Sequence, residues 1–463
     1  MKSVTNNYLY QYLAALTGCL SVMSTGMHYG WASPSLPVLQ SPDSPVPITS
    51  EQGSLIISMQ EYGNIVGCFV GAFIVDRIGR KNTILLTSPL YFIGWIMLAQ
   101  FVSVYLIMAA KFVAGFTGGM LYTVAPIYLG EISHPQIRGL LSSLLQMMYI
   151  FGQLIFNIFG SLIGIDIAAY IAAAVPVLQL ATFVFMPESP YYHIMKNRLE
   201  DAENSLRKLN NGVEVESTLK GIVSSLKEEK ASKASVFEIV TDPANRRAVY
   251  ITFGLRFFQQ ATGITAMNFY VKTIFIDVDT GLSPTTISII YFMLQLIMCS
   301  LNTTLIDKTG RKPLLIFSFI GTGIANAVLC IYFYCDNFID FSETYYKYIP
   351  VIAILVYVII FNTGLAATPM VLFGEFFNTR VKAVAMALAD IFFSILIISV
   401  SLFFQYTKDY VGIYIPFGAF SILGLIGLLF VYYCIPETKG MSLQEIQLYL
   451  RGIKKNVDND VKV

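Results

Sequence analysis

Charged residues are scarce in this sequence. They account for 13% of its 463 residues, whereas 55% are hydrophobic and the mean hydropathy is +0.64. A soluble protein of this length needs more charge to cover its surface, so this composition excludes a soluble globular fold. The 30 basic and 29 acidic residues also leave no excess of positive charge, and we therefore expect no nucleic-acid partner.

Histidine is rarer still, with three in the whole chain. The sequence contains no HExxH pattern, no GxSxG motif in a suitable context and no cluster of histidines and aspartates. Its six cysteines show no spacing typical of metal ligands or of a disulfide framework. These absences disfavour an integral membrane enzyme, and we expect no catalytic residue, no metal and no cofactor.

Long uncharged stretches, in contrast, recur throughout the chain. A transmembrane helix needs roughly 20 apolar residues, and these stretches are too long and too uniformly apolar for barrel strands. Cutting the chain at charges, prolines and polar turns gives twelve predicted spans, near residues 10–32, 54–75, 83–102, 104–129, 139–162, 167–187, 248–272, 284–306, 313–335, 348–373, 383–406 and 411–435. The sequence therefore predicts an all-α membrane protein with twelve transmembrane helices.

A polar segment at residues 188–247 holds 20 of the 59 charged residues and divides the spans six plus six. Apolar residues recur within it at helical spacing, which predicts amphipathic helices lying against the membrane surface. The predicted domains are a first bundle at 1–187, this linker, a second bundle at 248–436 and a tail at 437–463. All but five of the lysines and arginines fall on the side of the linker, so the positive-inside rule predicts cytoplasmic termini.

Three short patterns occur once in each half, in the same order relative to the spans. They are DRIGRK at 76–81 with DKTGRK at 307–312, the pair Glu131 and Arg138 with the pair Glu375 and Lys382, and PESP at 187–190 with PETKG at 436–440. The offsets between the copies are 231, 244 and 249 residues, which indicates a duplicated six-helix unit. Two similar halves can rock about a site between them, as alternating access requires.

The paired patterns combine glycine with charge. Glycine permits a tight turn between two spans, and the flanking bases and acids lie at the membrane surface, where charge-assisted pairs can hold one half to the other. The alternative is that these charges serve only as topology signals.

Together these motifs resemble those of the sugar porter family of the major facilitator superfamily, over essentially the whole chain. The resemblance also draws on GEISHPQIRG at 130–139 and QQATGI at 259–264. The sequence GWASP at 30–34, followed by a short proline-rich loop, is further similar to insect facilitated trehalose and hexose transporters. The resemblance implies a sugar carrier of the plasma membrane, surrounded by lipid, and we expect it to act as a monomer.

The resemblance implies that Gln146, Gln259 and Gln260 bind sugar hydroxyls. An amide offers both a donor and an acceptor to a polyol and carries no charge. A lone glutamine within a span can equally form a hydrogen bond between helices. The family's other substrate positions correspond here to Thr265, Gln295, Asn362 and Met370, and Asn362 stands where the family has an acid.

Several of these positions depart from the family pattern. Thr265 and Gln295 replace asparagines, and Met370 replaces a tryptophan that lies beneath the sugar. Phe393 and Ile397 also stand where many relatives carry asparagine. The second half thus offers fewer hydrogen-bond donors. Three interpretations remain open: the substrate is not glucose, the affinity for the sugar is low, or the protein is a sugar sensor that has lost transport.

A gate at the cytoplasmic face is implied by the same resemblance. Glu131, Arg138, Glu375 and Lys382 match the inner salt-bridge network of the family, with lysine in place of the usual arginine at the last position. The full set of predicted gating residues is Arg77, Arg80, Glu131, Arg138, Asp307, Arg311, Glu375 and Lys382.

Ionisable groups inside spans are costly and mark functional sites by default. Arg256 lies one helical turn before Gln259, where it could tune the sugar site or accept an anionic group. Alternatively it pairs with Asp390 or Glu61, which would neutralise both partners. We hypothesise an intramembrane charge pair among Glu61, Arg256 and Asp390.

The mechanism of transport is predicted from the first and fourth spans. Proton-coupled relatives carry an acid in the first span opposite a base in the fourth. Lys111 occupies the basic position, but residues 3–42 contain no aspartate or glutamate. Facilitated diffusion is therefore preferred. Glu61 and His28 keep proton coupling open, and a channel is disfavoured because no filter-like repeat is present.

Overall fold

A computed structural model of the protein describes residues 8–210, 215–231, 241–276, 282–336, 346–377, 379–441 and 443–451. Asp307 and Lys382 are described by their backbone alone. Within these ranges the regular elements are twenty α-helices and one 3-10 turn at Tyr346–Tyr348. The predicted all-α architecture is confirmed.

The first half contains eight helices that make six membrane-crossing units. They are α1 (Leu9–Gly30), α2 (Ala32–Gln40), α3 (Ser50–Ile78), α4 (Arg80–Gln100), α5 (Val104–Ile132), α6 (Arg138–Leu162), α7 (Ile165–Ala172) and α8 (Ala174–Phe183). The short α2 extends α1 beyond a turn at Trp31, and α7 and α8 are two parts of one span.

Three shorter helices follow in the linker: α9 (Pro190–Met195), α10 (Leu199–Leu209) and α11 (Val215–Ala231). Helix α10 is amphipathic and buries Ala202, Leu206 and Leu209. The Gln11 side-chain amide, near the start of α1, donates a hydrogen bond of 3.2 Å to the Leu209 carbonyl. The start of α1 therefore lies on the same face of the molecule as the linker, and we call this face the linker side.

The second half contains nine helices, the last of which follows the sixth span of this half. They are α12 (Pro243–Ala261), α13 (Ile264–Ile276), α14 (Pro284–Thr309), α15 (Arg311–Asp336), α16 (Ile349–Thr363), α17 (Thr368–Phe376), α18 (Thr379–Tyr410), α19 (Tyr414–Cys434) and α20 (Leu443–Leu450).

Nine helical stretches in the described part of the chain are long and apolar enough to cross a bilayer. The three other predicted spans, at 10–32, 54–75 and 248–272, coincide with α1, α3 and the α12–α13 pair. These helices carry more glycine, serine and glutamine, which lowers their hydropathy without preventing a span that packs inside a bundle. All twelve predicted spans are helical, in two repeats of six.

Two spans that the sequence predicts as continuous helices are broken in the structure. The seventh is interrupted at Gly263, whose φ of +89° is unfavourable for residues with a side chain. The tenth is interrupted by a turn at residues 364–367, between α16 and α17. Periodicity could not reveal either break, because both interruptions are themselves apolar or small in sequence. Broken helices expose backbone groups, which the bilayer tolerates only where they are buried in protein or line a cavity.

The predicted repeat is visible as one hydrogen-bond arrangement that occurs twice. In the first half the Glu188 carboxylate accepts bonds of 3.1 and 3.0 Å from the backbone N–H groups of Arg80 and Lys81. In the second half Glu437 accepts bonds of 3.1 and 3.0 Å from the N–H groups at 311 and 312. Both carboxylates cap a helix N-terminus, where free N–H groups and the helix dipole favour negative charge.

Helices α3 and α5 pack with their backbones almost in contact. A Cβ atom added at Gly63 or Gly67 of α3 would lie 2.1 or 2.0 Å from a carbonyl oxygen of α5. A Cβ added at Gly115 or Gly119 of α5 would lie 1.7 or 2.1 Å from a carbonyl oxygen of α3. Small residues spaced four apart permit this close approach, which is typical of membrane helices.

Candidate substrate cavity

A cavity of about 230 Å³, with amide, hydroxyl and charged groups set in a largely apolar wall, lies between the two halves. Its walls come from α1, α3, α5 and α6 in the first half and from α12, α13, α14, α16, α17 and α18 in the second. Every predicted substrate residue lines it, namely Gln146, Gln259, Gln260, Thr265, Gln295, Asn362 and Met370. The residues that the family resemblance implies thus lie around one cavity, and their binding of a sugar stays a prediction.

Both ends of the Gln259 side-chain amide are hydrogen-bonded within the protein. Its side-chain oxygen accepts a 3.0 Å hydrogen bond from Arg256, and its side-chain nitrogen donates one of 2.6 Å to the Leu365 carbonyl. That carbonyl lies in the turn that interrupts the tenth span. In this conformation Gln259 therefore joins the seventh span to the break in the tenth and has little capacity left for a sugar.

Gln260 is better placed to meet a substrate. Its side-chain oxygen accepts a 2.6 Å hydrogen bond from Thr265, across the break at Gly263. Its side-chain nitrogen has no protein acceptor among the described residues and reaches the cavity. The threonine that replaces the family's asparagine thus orients this amide.

The other predicted substrate residues differ in their exposure and in the hydrogen-bonding atoms that they leave unbonded. Gln146 is exposed to the cavity, whereas Gln295 and Asn362 are buried and each keep one amide oxygen without a donor among the described residues. Met370 lines the cavity from α17 and is 42% exposed, so solvent reaches this part of the wall.

Arg256 is 93% buried in the wall of this cavity. Besides Gln259, its guanidinium contacts the sulfur of Met370 and lies 4.5 Å from the centre of the Phe393 ring. A guanidinium over an aromatic face is stabilised by the ring quadrupole. The cavity brings Glu61, Arg256 and Asp390 to its walls, but no salt bridge of 4.0 Å or less joins them in the described part of the chain. The hypothesised direct pair does not form in this conformation, because Arg256 uses neutral partners instead.

Glu61 is fully buried in α3 and also lies on the cavity wall. One of its oxygens accepts a 2.6 Å hydrogen bond from the Tyr29 hydroxyl. The other, Oε2, has no hydrogen-bond donor among the described residues, although the Ser394 hydroxyl lies close by. Asn64, one turn further along α3, donates a 2.8 Å bond to Ser394.

Sequence reasoning missed six tyrosine and amide residues of the cavity. They are Tyr29, Asn64, Tyr122, Tyr149, Gln153 and Asn268. A helical periodicity could have found some of them, since Gln153 lies seven residues after Gln146 and Asn268 three after Thr265, on the same helix faces. With these residues the cavity is richer in hydrogen-bonding groups than the substitutions in the second half suggest.

The predicted gating charges pair within each half. Arg80 forms a 3.0 Å salt bridge with Glu131, and Arg311 forms one of 3.0 Å with Glu375. Arg138 donates only to the Ser133 carbonyl, at 3.4 Å. Arg77 lies 3.6 Å from the centre of the Phe73 ring. The side chains of Asp307 and Lys382 lie outside the described residues, so the predicted pairs between the halves stay a prediction.

Hydrogen bonds between the two halves lie at mid-membrane or on the side opposite the linker, as far as the described residues show. Asn157 of α6 accepts a 3.0 Å bond from Ser288 of α14, and a 3.1 Å bond to Ser33 of α2 within the first half orients its amide. The other bonds join Asn64 to Ser394, Ser54 to Tyr270, Lys272 to Ser161 and Tyr410 to Glu51. The cavity is thus closed on the side opposite the linker.

Lys111 lies behind the cavity wall and is 1% exposed. Its ammonium donates hydrogen bonds of 2.5 Å to the His28 carbonyl and 3.0 Å to the Gln60 side-chain oxygen. It also lies 4.4 Å from the centre of the Trp31 ring. Neutral acceptors and an aromatic face therefore surround Lys111. In proton-coupled relatives, the base at this position faces an acid. His28 itself stacks on Trp95, at a centroid distance of 3.7 Å.

Comparison with known proteins identifies the family. A family model described as sugar (and other) transporter matches residues 4–450. The chain belongs to this family. Membership of the sugar transporter family accounts for the duplicated motifs, the broken helices and the central cavity together, and it assigns the chain to transporters and not to enzymes.

Individual members of the sugar transporter family match over the same length. A protein of Bombyx mori named facilitated trehalose transporter Tret1 is 30% identical over 451 residues, which cover 97% of this chain and 88% of that protein. The protein of the same name from Polypedilum vanderplanki is 30% identical over 451 residues, covering 96% and 89%. The one from Drosophila grimshawi is longer, so a match of 30% identity covers 97% of this chain and 49% of that protein.

Solved structures establish the fold of this family member. The inward-open xylose transporter XylE from E. coli matches with a TM-score of 0.79 at 21% identity, over 95% of this chain and 99% of that chain. The proton:xylose symporter XylE bound to 6-bromo-6-deoxy-D-glucose matches with a TM-score of 0.74 at 22% identity, over the same shares. The chain has the major facilitator fold.

Proposed function

We propose that this protein carries sugars across a membrane by opening its central cavity alternately to the two sides. The observation that best supports this is the composition of the cavity, where amides and hydroxyls from two repeated halves surround a space between them. Such groups exchange hydrogen bonds with a polyol without holding it through charge. Transporters bind substrates at such repeat interfaces, next to interrupted helices.

We further propose facilitated diffusion of trehalose or a hexose. The relatives from Bombyx mori and Polypedilum vanderplanki, which are named trehalose transporters, support this class of substrate. Lys111 supports the mechanism, because neutral acceptors satisfy its ammonium and the first span offers it no acid. Glu61 favours proton coupling as the second candidate, since it is an acid on the cavity wall.

The setting is also part of the proposal. We propose that the protein is a monomer of the plasma membrane with both termini in the cytoplasm, because most of its bases lie on the linker side. The domain boundaries proposed from the sequence are 187/188, 247/248 and 436/437.

Uptake of radiolabelled trehalose, glucose and fructose into oocytes, at two external pH values, tests this proposal. Cells expressing the wild type would be compared with Gln260→Ala and with Gln405→Ala, an amide of α18 outside the cavity. We expect saturable uptake that is independent of pH, reduced in Gln260→Ala and retained in Gln405→Ala.

Other outcomes distinguish the alternatives. Uptake that rises with an imposed proton gradient would replace facilitated diffusion by proton coupling. Absence of uptake of all three sugars, with surface expression confirmed, would overturn the sugar-carrier proposal and favour a sensor or another substrate.

A further inference from the structure

The Glu61 carboxylate is a charge that the proposed sugar site does not explain. It is fully buried at mid-membrane, 11 residues into α3, and about 16 Å from the end of that helix. A buried carboxylate is costly unless its oxygens are paired and hydrogen-bonded. Only one of its oxygens has a donor among the described residues, and the carboxylate lies on the cavity wall.

The charges that surround Glu61 do not compensate it directly. The lining of the cavity contains two carboxylates, Glu61 and Asp390, and one guanidinium, Arg256. Arg256 interacts electrostatically with Asp390. Lys111 attracts Glu61 from behind the wall, but its ammonium is bound to neutral acceptors and forms no salt bridge of 4.0 Å or less with the carboxylate. The lining therefore places an acid without a salt-bridge partner of 4.0 Å or less, among the described residues, on the Glu61 side.

Aromatic rings frame the same part of the cavity. Tyr29, Tyr122, Tyr149 and Phe269 all line it and come from four different helices. The centroid of the Tyr29 ring is 5.5 Å from that of Tyr149 and 6.1 Å from that of Phe269, and those of Tyr122 and Tyr149 are 6.2 Å apart. Tyr29 also donates to Glu61. We call these four rings with Glu61 the aromatic–acid group.

A carboxylate beside several aromatic faces is a combination that recognises cations. The ring quadrupole attracts an ammonium electrostatically, most strongly where water is excluded, and the carboxylate supplies a charge-assisted hydrogen bond. A neutral sugar could donate a hydroxyl to the carboxylate, but it would gain neither the attraction of a cation to the rings nor the pairing of opposite charges.

We propose that the aromatic–acid group binds a protonated amine, so that the preferred substrate is an amino sugar. The ammonium binds the free oxygen of Glu61, and the hydroxyls of the sugar reach the amides of the opposite half, of which Gln260 is the best placed. The sugar part of this inference rests on the proposed function, whereas the amine part rests on the aromatic–acid group alone.

Competition with three probes that share one skeleton tests the proposal. D-glucosamine is partly cationic at neutral pH, where the probes are compared, N-acetyl-D-glucosamine is its neutral amide, and D-glucose has a hydroxyl in place of the nitrogen. Each would be assayed as an inhibitor of uptake and as a stabiliser of the purified protein against heat. We expect glucosamine to act at concentrations roughly tenfold lower than the two neutral sugars, as one charge-assisted hydrogen bond predicts.

Glu61→Gln is the informative variant because it keeps the shape and removes the charge. It should abolish the preference for glucosamine, so that glucosamine becomes no more potent than the two neutral sugars on this variant. Glu51→Gln is the matched control, since Glu51 belongs to the same helix but lies at its outer end, where it accepts a bond from Tyr410. It should keep the preference.

The outcomes separate this inference from the proposed function. Equal potency of the three probes on the wild type overturns the amine site whatever Glu61→Gln does, including a failure to fold. A preference that persists in Glu61→Gln also overturns it. If glucosamine stabilises the wild type but no sugar is transported, the amine site stands and the sugar-carrier function fails.

Discussion

At the scale of single residues, two adjacent glutamines have different tasks. Gln259 has both ends of its amide bound within the protein, to Arg256 and to the Leu365 carbonyl. Gln260 has its oxygen bound to Thr265 and its nitrogen available in the cavity. The same motif therefore contains one residue that connects helices and one that is ready to contact a ligand.

Substitution by alanine should separate these tasks. Gln260→Ala removes a ligand contact of about 0.5–1.5 kcal/mol, so we expect KM for sugar uptake to rise roughly two- to tenfold at unchanged maximal rate. Gln259→Ala releases the Leu365 carbonyl and should lower the maximal rate instead. Concentration-dependent uptake, normalised to surface protein, measures both. A rise in KM that is the same in both variants would contradict the division of tasks.

At the scale of helices, the approach of α3 to α5 depends on glycine. Each helix places a carbonyl oxygen where a Cβ atom of the other would have to lie. Because no flexible side chain can move aside at these points, even one methyl group must separate two backbones.

Gly67→Ala should therefore destabilise the protein. Its Cβ would lie 2.0 Å from the Phe116 carbonyl oxygen, and overpacking of this kind costs about 1–3 kcal/mol. Gly221→Ala, in the linker helix α11, is the control, because nothing lies within 4 Å of its Cβ. Alanine is a better helix former there by about 0.8–1 kcal/mol. Thermal unfolding in detergent should show a lower midpoint for the first variant and an unchanged or higher one for the second.

At the scale of the whole molecule, the described hydrogen bonds between the halves favour one conformation. They lie at mid-membrane or on the side opposite the linker, and Asn157 makes one of them, with Ser288. The ion pairs near the linker side join residues of the same half. The described contacts thus stabilise a state that is open toward the linker side.

Asn157→Ala should shift the equilibrium between the two open states toward the state that opens on the side opposite the linker. Loss of the bond to Ser288 weakens the closed side by about 0.5–1.5 kcal/mol, and the populations of the two states follow that difference. Cys68 lines the cavity and can report the shift. In a variant that keeps Cys68 alone, a membrane-impermeant thiol reagent applied from the side opposite the linker should label it faster after the substitution. Gln405→Ala should leave the labelling rate unchanged.

The sequence predicts the large features of this molecule better than its site. Uncharged runs locate the spans because a bilayer requires length and apolarity. The predicted fifth and sixth spans, for example, begin and end within a few residues of α6 and of the α7–α8 pair. The break at Gly263 depends on a backbone angle, and the partner of Gln259 is a carbonyl 106 residues away. Tyr29 and Glu61 meet only when α1 and α3 pack together. Such contacts are tertiary, and no local pattern carries them.

The glycine contact between α3 and α5 has a mechanical consequence. The two backbones contact each other at four glycines, so one helix cannot slide along the other by a residue unless the helices first separate. The pair therefore moves as one rigid unit. Glu61 and Asn64 lie on α3 of this pair, and Lys111 lies on α5. When the halves rock, these three groups keep their mutual geometry, and the deformation concentrates at the hydrogen bonds to the other half and at the broken seventh and tenth spans.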